Sequence, residues 1–150
     1  MQRGQPLSLT GRALRLLSQR EHSRTELERK LAKHAEDRAD IARVLDNLQS
    51  RGFIDHQRVA DSVVHRRSAK LGAMRIRQEL QAKGLDAQTV DAAVAQLRAS
   101  EFERAREVWR KKFGSAGRDA AERARQARFL AARGFGTEVI RRVLGGDEPD

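Results

Sequence analysis

Three times along this chain a glycine stops an apolar-striped segment and is followed at once by an apolar residue: Gly52-Phe53, Gly84-Leu85 and Gly134-Phe135. Glycine takes the left-handed conformation past a helix end without a Cβ penalty, so each pair reads as a helix stop with an apolar lock behind it. The central instance runs from Leu48 to Gly72. It holds a helix end, the Gly52 stop, the Phe53-Ile54 lock, a restart at Asp55 and a basic helix reaching to Gly72. No segment shows the sustained alternation and β-branched enrichment of a strand. The reading is all-α.

The stripes between the stops have helical spacing. Leu14 and Leu17 open the series, and Ser23-Arg24-Thr25-Glu26 then reads as a capping box ahead of Leu27 and Leu31. Asp37 is placed to cap a helix carrying Ile41, Val44, Leu45 and Leu48, at i, i+3, i+4 and i+7. Asp55 starts a helix with Val59, Val63 and Val64 inward. Further stripes are Ile76-Leu80, then Val90-Ala93-Val94-Leu97, then Phe102-Ala105-Trp109-Phe113. An alanine-rich helix with Ala120, Ala124, Ala127 and Leu130 follows, and a last one with Val139, Ile140, Val143 and Leu144 runs up to Gly145-Gly146.

The stripes repeat. Leu80, Gly84, Leu85, Val90 and Val94 are answered fifty positions on by Leu130, Gly134, Phe135, Ile140 and Leu144. Leu27 and Leu31 precede Ile76 and Leu80 by forty-nine, and Ile41 precedes Val90 by the same number. A period of this length marks a stacked array of small units, none of which buries a full core alone. The expected organisation is a loose tail over residues 1–9, three-helix repeats over 10–57, 58–100 and 101–146, and a polar end over 147–150.

Lys and Arg total 31 against 21 Asp and Glu, a net charge of +10, and the excess is spread over all three repeats. Such a body seeks a polyanion: nucleic acid first, an acidic protein or membrane surface behind it. Cysteine is absent, which removes disulfides, thiolate zinc sites and cysteine nucleophiles. No apolar run approaches a membrane span and the first residues lack a signal-peptide core, so a cytoplasmic protein without membrane attachment is expected. There is no phosphate loop and no nucleophile elbow. His22, His34, His56 and His65 lack ligand spacing and read as solvated surface residues. Neither an enzyme nor a bound metal or cofactor is expected.

The basic residues are the candidate site. Between Asp61 and Glu79 no acidic residue occurs, while Arg66, Arg67, Lys70, Arg75 and Arg77 do. On one helix Arg66 and Lys70 would share a face at i and i+4, with Arg67 beside them. A second cluster, Arg104, Arg106, Arg110, Lys111 and Lys112, surrounds Trp109, and a third holds Arg118, Arg123, Arg125 and Arg128. Groups so placed neutralise phosphates without reading bases, so single- and double-stranded DNA are both expected partners. The few aromatics sit at stripe or stop positions and read as core, not as a stacking platform. Two readings fit the charge: a stand-alone tandem helix-turn-helix-like DNA binder, and a helical adaptor for acidic proteins.

Arg51-Gly52-Phe53-Ile54-Asp55 with Arg58-Val59-Ala60, then Gly72, Ile76, Leu80 and Gly84-Leu85, resembles the core pattern of the RecX family. Arg128-Phe129-Leu130, Arg133-Gly134-Phe135 and Ile140 are similar to that family's last-unit signature. His56 stands where the family commonly has an acidic residue. The resemblance implies three tandem winged-helix-like units in an elongated, curved array. It implies a negative regulator of RecA that lies in the groove of the RecA–DNA filament; a monomer is expected. There it would limit filament growth, strand exchange, ATP hydrolysis and co-protease activity.

Overall fold

The computed structural model describes residues 7–145, and every regular element among them is helical. In chain order these are α1 (Leu9–Gln19), α2 (Arg24–Leu31), α3 (Arg38–Ser50), α4 (His56–Arg67), α5 (Ala73–Ala82), α6 (Ala87–Arg98), α7 (Glu101–Lys112), α8 (Ala120–Ala132) and α9 (Thr137–Gly145). A 3-10 turn over Ala32–His34 lies in the connection between α2 and α3, which is longer than that between α5 and α6. The expectations for residues 1–6 and 146–150 lie outside the described residues.

Short-range chemistry sets the helix starts. Ser8 Oγ accepts from the Gly11 amide at 3.0 Å, so α1 opens at Leu9, one residue before the expected start of the first repeat. The capping box forms with both bonds, Glu26 N to Ser23 Oγ and Ser23 N to Glu26 Oε1, each 3.1 Å. Asp37, Asp55, Asp86 and Asp119 cap α3, α4, α6 and α8 through their carboxylates. Each satisfies backbone N–H groups that a helix start leaves orphaned. Gly52, Gly84 and Gly134 take φ of 83°, 75° and 90°, the left-handed turn that the stop pairs require.

Three helices at a time close on a separate core. Ala13, Leu27, Leu31, Ile41, Leu45, Leu48 and Ile54 form the first, and α4 to α6 form the second around Ile76 and Leu80. Phe102, Ala105, Leu130, Phe135, Ile140 and Val143 form the third. These triplets are called units 1, 2 and 3 below. Two stripe assignments change. Ala120 and Ala124 face solvent, and α8 buries Gln126 and Leu130 instead. Gln126 is admitted because Trp109 Nε1 donates to its Oε1 at 2.9 Å while its Nε2 donates to Ser115 O at 3.1 Å. Phe53 is 39% exposed beneath the Arg51 guanidinium, so the lock after Gly52 is Ile54 alone.

The junctions between units follow one pattern. Where unit 1 meets unit 2, the start of α2 touches the turn after α5. Lys83 Nζ lies 3.0 Å from Glu26 Oε1, and a Cβ on Gly84 would fall 2.1 Å from Thr25 Oγ1. Where unit 2 meets unit 3, the start of α5 touches the turn after α8. Gly72 N donates to Arg133 O at 2.8 Å and Met74 N to Gly134 O at 3.2 Å. A Cβ on Gly72 would sit 2.4 Å from the Gly134 carbonyl, so only glycine admits this approach.

Candidate polyanion-binding surface

The junction of units 2 and 3 brings cations together from four helices. Arg75, on α5, donates from Nη1 to Ala132 O at 2.8 Å, which fixes its stem against the end of α8. One turn along α5, Glu79 Oε1 holds Arg67 Nε at 3.4 Å, so Arg67 and Arg75 flank the same face. On α8, Arg125, Arg128 and Phe129 lie at helix-neighbour spacings ahead of Ala132. The Phe129 ring carries Arg133 Cζ at 4.8 Å and Lys112 Nζ at 5.5 Å, and meets Phe113 edge-on at 5.3 Å. These contacts link Arg67, Arg75, Arg133 and Lys112 into a stripe, with Arg128 one helical turn before Ala132 and the Glu79 carboxylate within it.

Cations over an aromatic face keep their charge outward and their stems ordered. Arg125, Arg128, Arg133 and Lys112 have no carboxylate partner among the described residues. Arg133 was hidden in the sequence by its helix-stop role; its place in the last turn of α8, beyond Arg125 and Arg128, is the signal that could have found it.

Other expected site residues are placed differently. Arg66 is exposed in the last turn of α4, but α4 ends at Arg67 and Lys70 lies in the turn after it. There its amide donates to Arg67 O at 3.0 Å, so Lys70 shares no helix face with Arg66. Arg77 leaves α5 on the side away from Arg75 and pairs with Asp91 at 3.0 Å. Arg110 grips Glu107 through Nε at 2.9 Å and Nη2 at 2.7 Å, and Lys111 Nζ lies 3.9 Å from the same carboxylate. The Arg110 bond holds the Glu107 carboxyl below its usual range and raises Arg110 in return. That part of the second cluster is locally neutralised.

Arg104 is a correction. Its Nη1 donates to Ser68 O at 2.7 Å and Leu71 O at 2.8 Å, its Nη2 to Leu97 O at 2.9 Å, and its Nε to Ser100 Oγ at 3.0 Å. Burial depresses its pKa against the opposing pull of Glu101. It clamps unit 2 to α7, with four of its five N–H donors already committed within the protein.

The histidines are not all surface residues either. His22 is buried, with Nδ1 3.0 Å from Arg20 O and Nε2 3.2 Å from Lys30 Nζ. Since Lys30 can only donate, the ring is neutral with its proton on Nδ1. Burial first, then the charges of Arg20 and Lys30, lower its pKa, opposed by the Arg20 carbonyl and Glu26. His56 meets Asp86 at 3.1 Å across the starts of α4 and α6. Bonds from Thr89 and then His56 hold the Asp86 carboxyl down to about 2.

Among the described residues no group of three or more His, Asp or Glu is arranged to hold a metal, and no helix is long and apolar enough to cross a membrane. The surface described can attract and orient a polyanion.

Comparison with known proteins agrees along nearly the whole length. Family models described as the first, second and third three-helix domains of RecX match residues 11–48, 55–94 and 99–144. The chain is 56% identical over 138 residues to the regulatory protein RecX of Leptothrix cholodnii, covering 92% of this chain and 88% of that one. It is 48% identical over 142 residues to the regulatory protein RecX of Ralstonia nicotianae, covering 95% and 89%. The crystal structure of RecX from Lactobacillus salivarius superposes with a TM-score of 0.76 at 19% identity, covering 92% of this chain and 93% of that one. With three tandem three-helix domains matched in order and close relatives over nearly all of its length, the chain belongs to the RecX family of regulatory proteins.

Proposed function

We propose that this protein is a negative regulator of RecA and acts without catalysis, by lying against the RecA–DNA filament. The observation that carries the reading is the cation stripe at the junction of units 2 and 3. It crosses two units whose relation is fixed by main-chain hydrogen bonds, so its spacing is pre-organised before binding. A rigid row of phosphate-directed charges suits a regular polyanionic helix, and its contacts are blind to base sequence. Seated as a monomer in the filament groove, the body blocks addition of further RecA. Strand exchange, ATP hydrolysis and co-protease activity then fall together. Within this reading the repeats are 10–57, 58–100 and 101–146, the cytoplasm is the site of action, and Arg66, Arg67, Lys70, Arg75, Arg125, Arg128 and Lys112 contribute to binding alongside Arg133.

The test is ATP hydrolysis by RecA on single-stranded DNA with this protein titrated in. Inhibition well below one molecule per RecA is expected, because blocked growth stops many subunits at once. Arg75→Glu with Arg128→Glu should weaken it by about tenfold or more, as loss of several phosphate contacts does. No inhibition, with salt-sensitive DNA binding intact, would instead make the protein a stand-alone DNA binder.

A further inference from the structure

Unit 1 carries a second basic feature, far in the sequence from the stripe. Between α1 and the end of α2 lies an open groove of about 460 Å³. Its walls hold Arg12 and Arg15 on one side and Lys30 and Lys33 on the other, and no carboxylate lines it. Its apolar surface comes from Leu16, from the buried Leu31 beneath, and from Leu7, which is 45% exposed at the mouth.

The four cations are set up to meet a negative partner. Arg12, Arg15 and Lys33 have no carboxylate partner among the described residues. Lys30 is oriented by the neutral Nε2 of the buried His22 at 3.2 Å, which aims the ammonium while leaving its charge uncompensated. His34, also on the wall, has its pKa lowered by desolvation and then by the charges of Arg12 and Lys33, the sign of a positive local field.

We infer that this groove is a docking site for an acidic peptide segment that carries apolar side chains, such as one turn or two of an acidic amphipathic helix. The apolar surface decides between this and a nucleic-acid backbone. A phosphate chain gains nothing from Leu7, Leu16 and Leu31, whereas a peptide lays apolar side chains on such a floor and its carboxylates on the rim. The volume suits a few side chains, not a domain. The inference does not depend on the function proposed for the stripe, which lies on other units.

The experiment uses the full chain and fluorescence anisotropy with three labelled probes of equal length. These are a helical peptide of alternating Glu and Leu turns, the same peptide with each Leu replaced by Ser, and oligothymidylate. The Glu/Leu peptide should bind, and the Glu/Ser peptide should bind at least about tenfold more weakly. Arg15→Glu with Lys33→Glu should weaken the Glu/Leu peptide by about tenfold or more while leaving the thermal melt and oligothymidylate affinity unchanged. Leu7→Ser, at an exposed position that the core does not need, should weaken it with no charge changed. Three results would overturn the inference: no Glu/Leu binding at low salt, equal binding of both peptides, or a charge reversal that abolishes oligothymidylate binding and spares the peptide. The last would make the groove a nucleic-acid contact.

Discussion

The Glu101 carboxylate accepts a hydrogen bond from the Ala73 amide at 2.8 Å, so the first residue of α7 caps the start of α5. Gly72, the N-cap of α5, has no side chain to do this, and cannot have one because the Gly134 carbonyl occupies the space. Unit 3 supplies the acceptor that close packing denies to unit 2. Glu101→Ala should therefore cost about 1–2 kcal/mol of stability, the range for a lost cap with a buried donor left unpaired. Glu101→Gln, which keeps an acceptor oxygen, should recover most of it in chemical denaturation.

Gly72→Ala places a methyl group 2.4 Å from backbone that cannot swing aside. The expected result is a loss of about 1–3 kcal/mol, as for other overpacked sites. Amide exchange should accelerate first at Gly72 and Met74, whose N–H groups cross the junction, while helicity by circular dichroism is retained.

Arg104→Met should destabilise by about 2–3 kcal/mol, since it strips a charged donor from three carbonyls at once. Arg106→Met, exposed on the same helix, should change stability by no more than about 0.5 kcal/mol. Equal effects in thermal melts would refute the clamp.

His22 gives the fold a pH dependence with a definite sign. Its pKa is lowered in the folded state, so between that value and the ordinary 6.5 the unfolded chain binds the extra proton. Stability from this group is complete above 6.5 and declines as pH falls below it. Melting temperatures measured downward from pH 7.5 should show the decline, and His22→Gln, which cannot take the proton, should flatten it.

The paired and unpaired cations separate in salt dependence. Glu107→Gln with Arg110→Gln leaves local net charge unchanged and should move DNA affinity by less than about threefold. Arg125→Gln with Arg128→Gln removes two open charges and should reduce the slope of log affinity against log salt by about two. Equal slopes for the two variants would remove α8 from the binding surface.

What could be read from the sequence was local. Ser23, Asp37 and Asp55 cap within three residues of themselves, and the glycine stops need only their own turn, so both were visible in the chain. The repeat and the three-helix units followed from the stripes. What depended on a neighbouring unit or helix was hidden. Arg104 looks like any surface arginine until α4 and α6 turn their carbonyls toward it. Gln126 is polar at a buried position because Trp109 and Ser115 meet it there. Lys70 fell off its expected helix face because α4 ends three residues before it, with no glycine or proline to announce the end. The basic groove of unit 1 escaped notice since its cations are split between two helices and diluted by acidic residues facing elsewhere.

Every hydrogen bond described across the contact between units 2 and 3 has a peptide group on at least one side. Glu101, Arg104 and Arg75 all grip the other unit's backbone, and peptide groups are the same in every sequence. The outward side chains can be exchanged freely while the step from one unit to the next stays as it is. A chain built this way behaves as a ruler whose graduations are cut into the main chain and whose markings, the cations, can be repainted to suit the surface it is laid against.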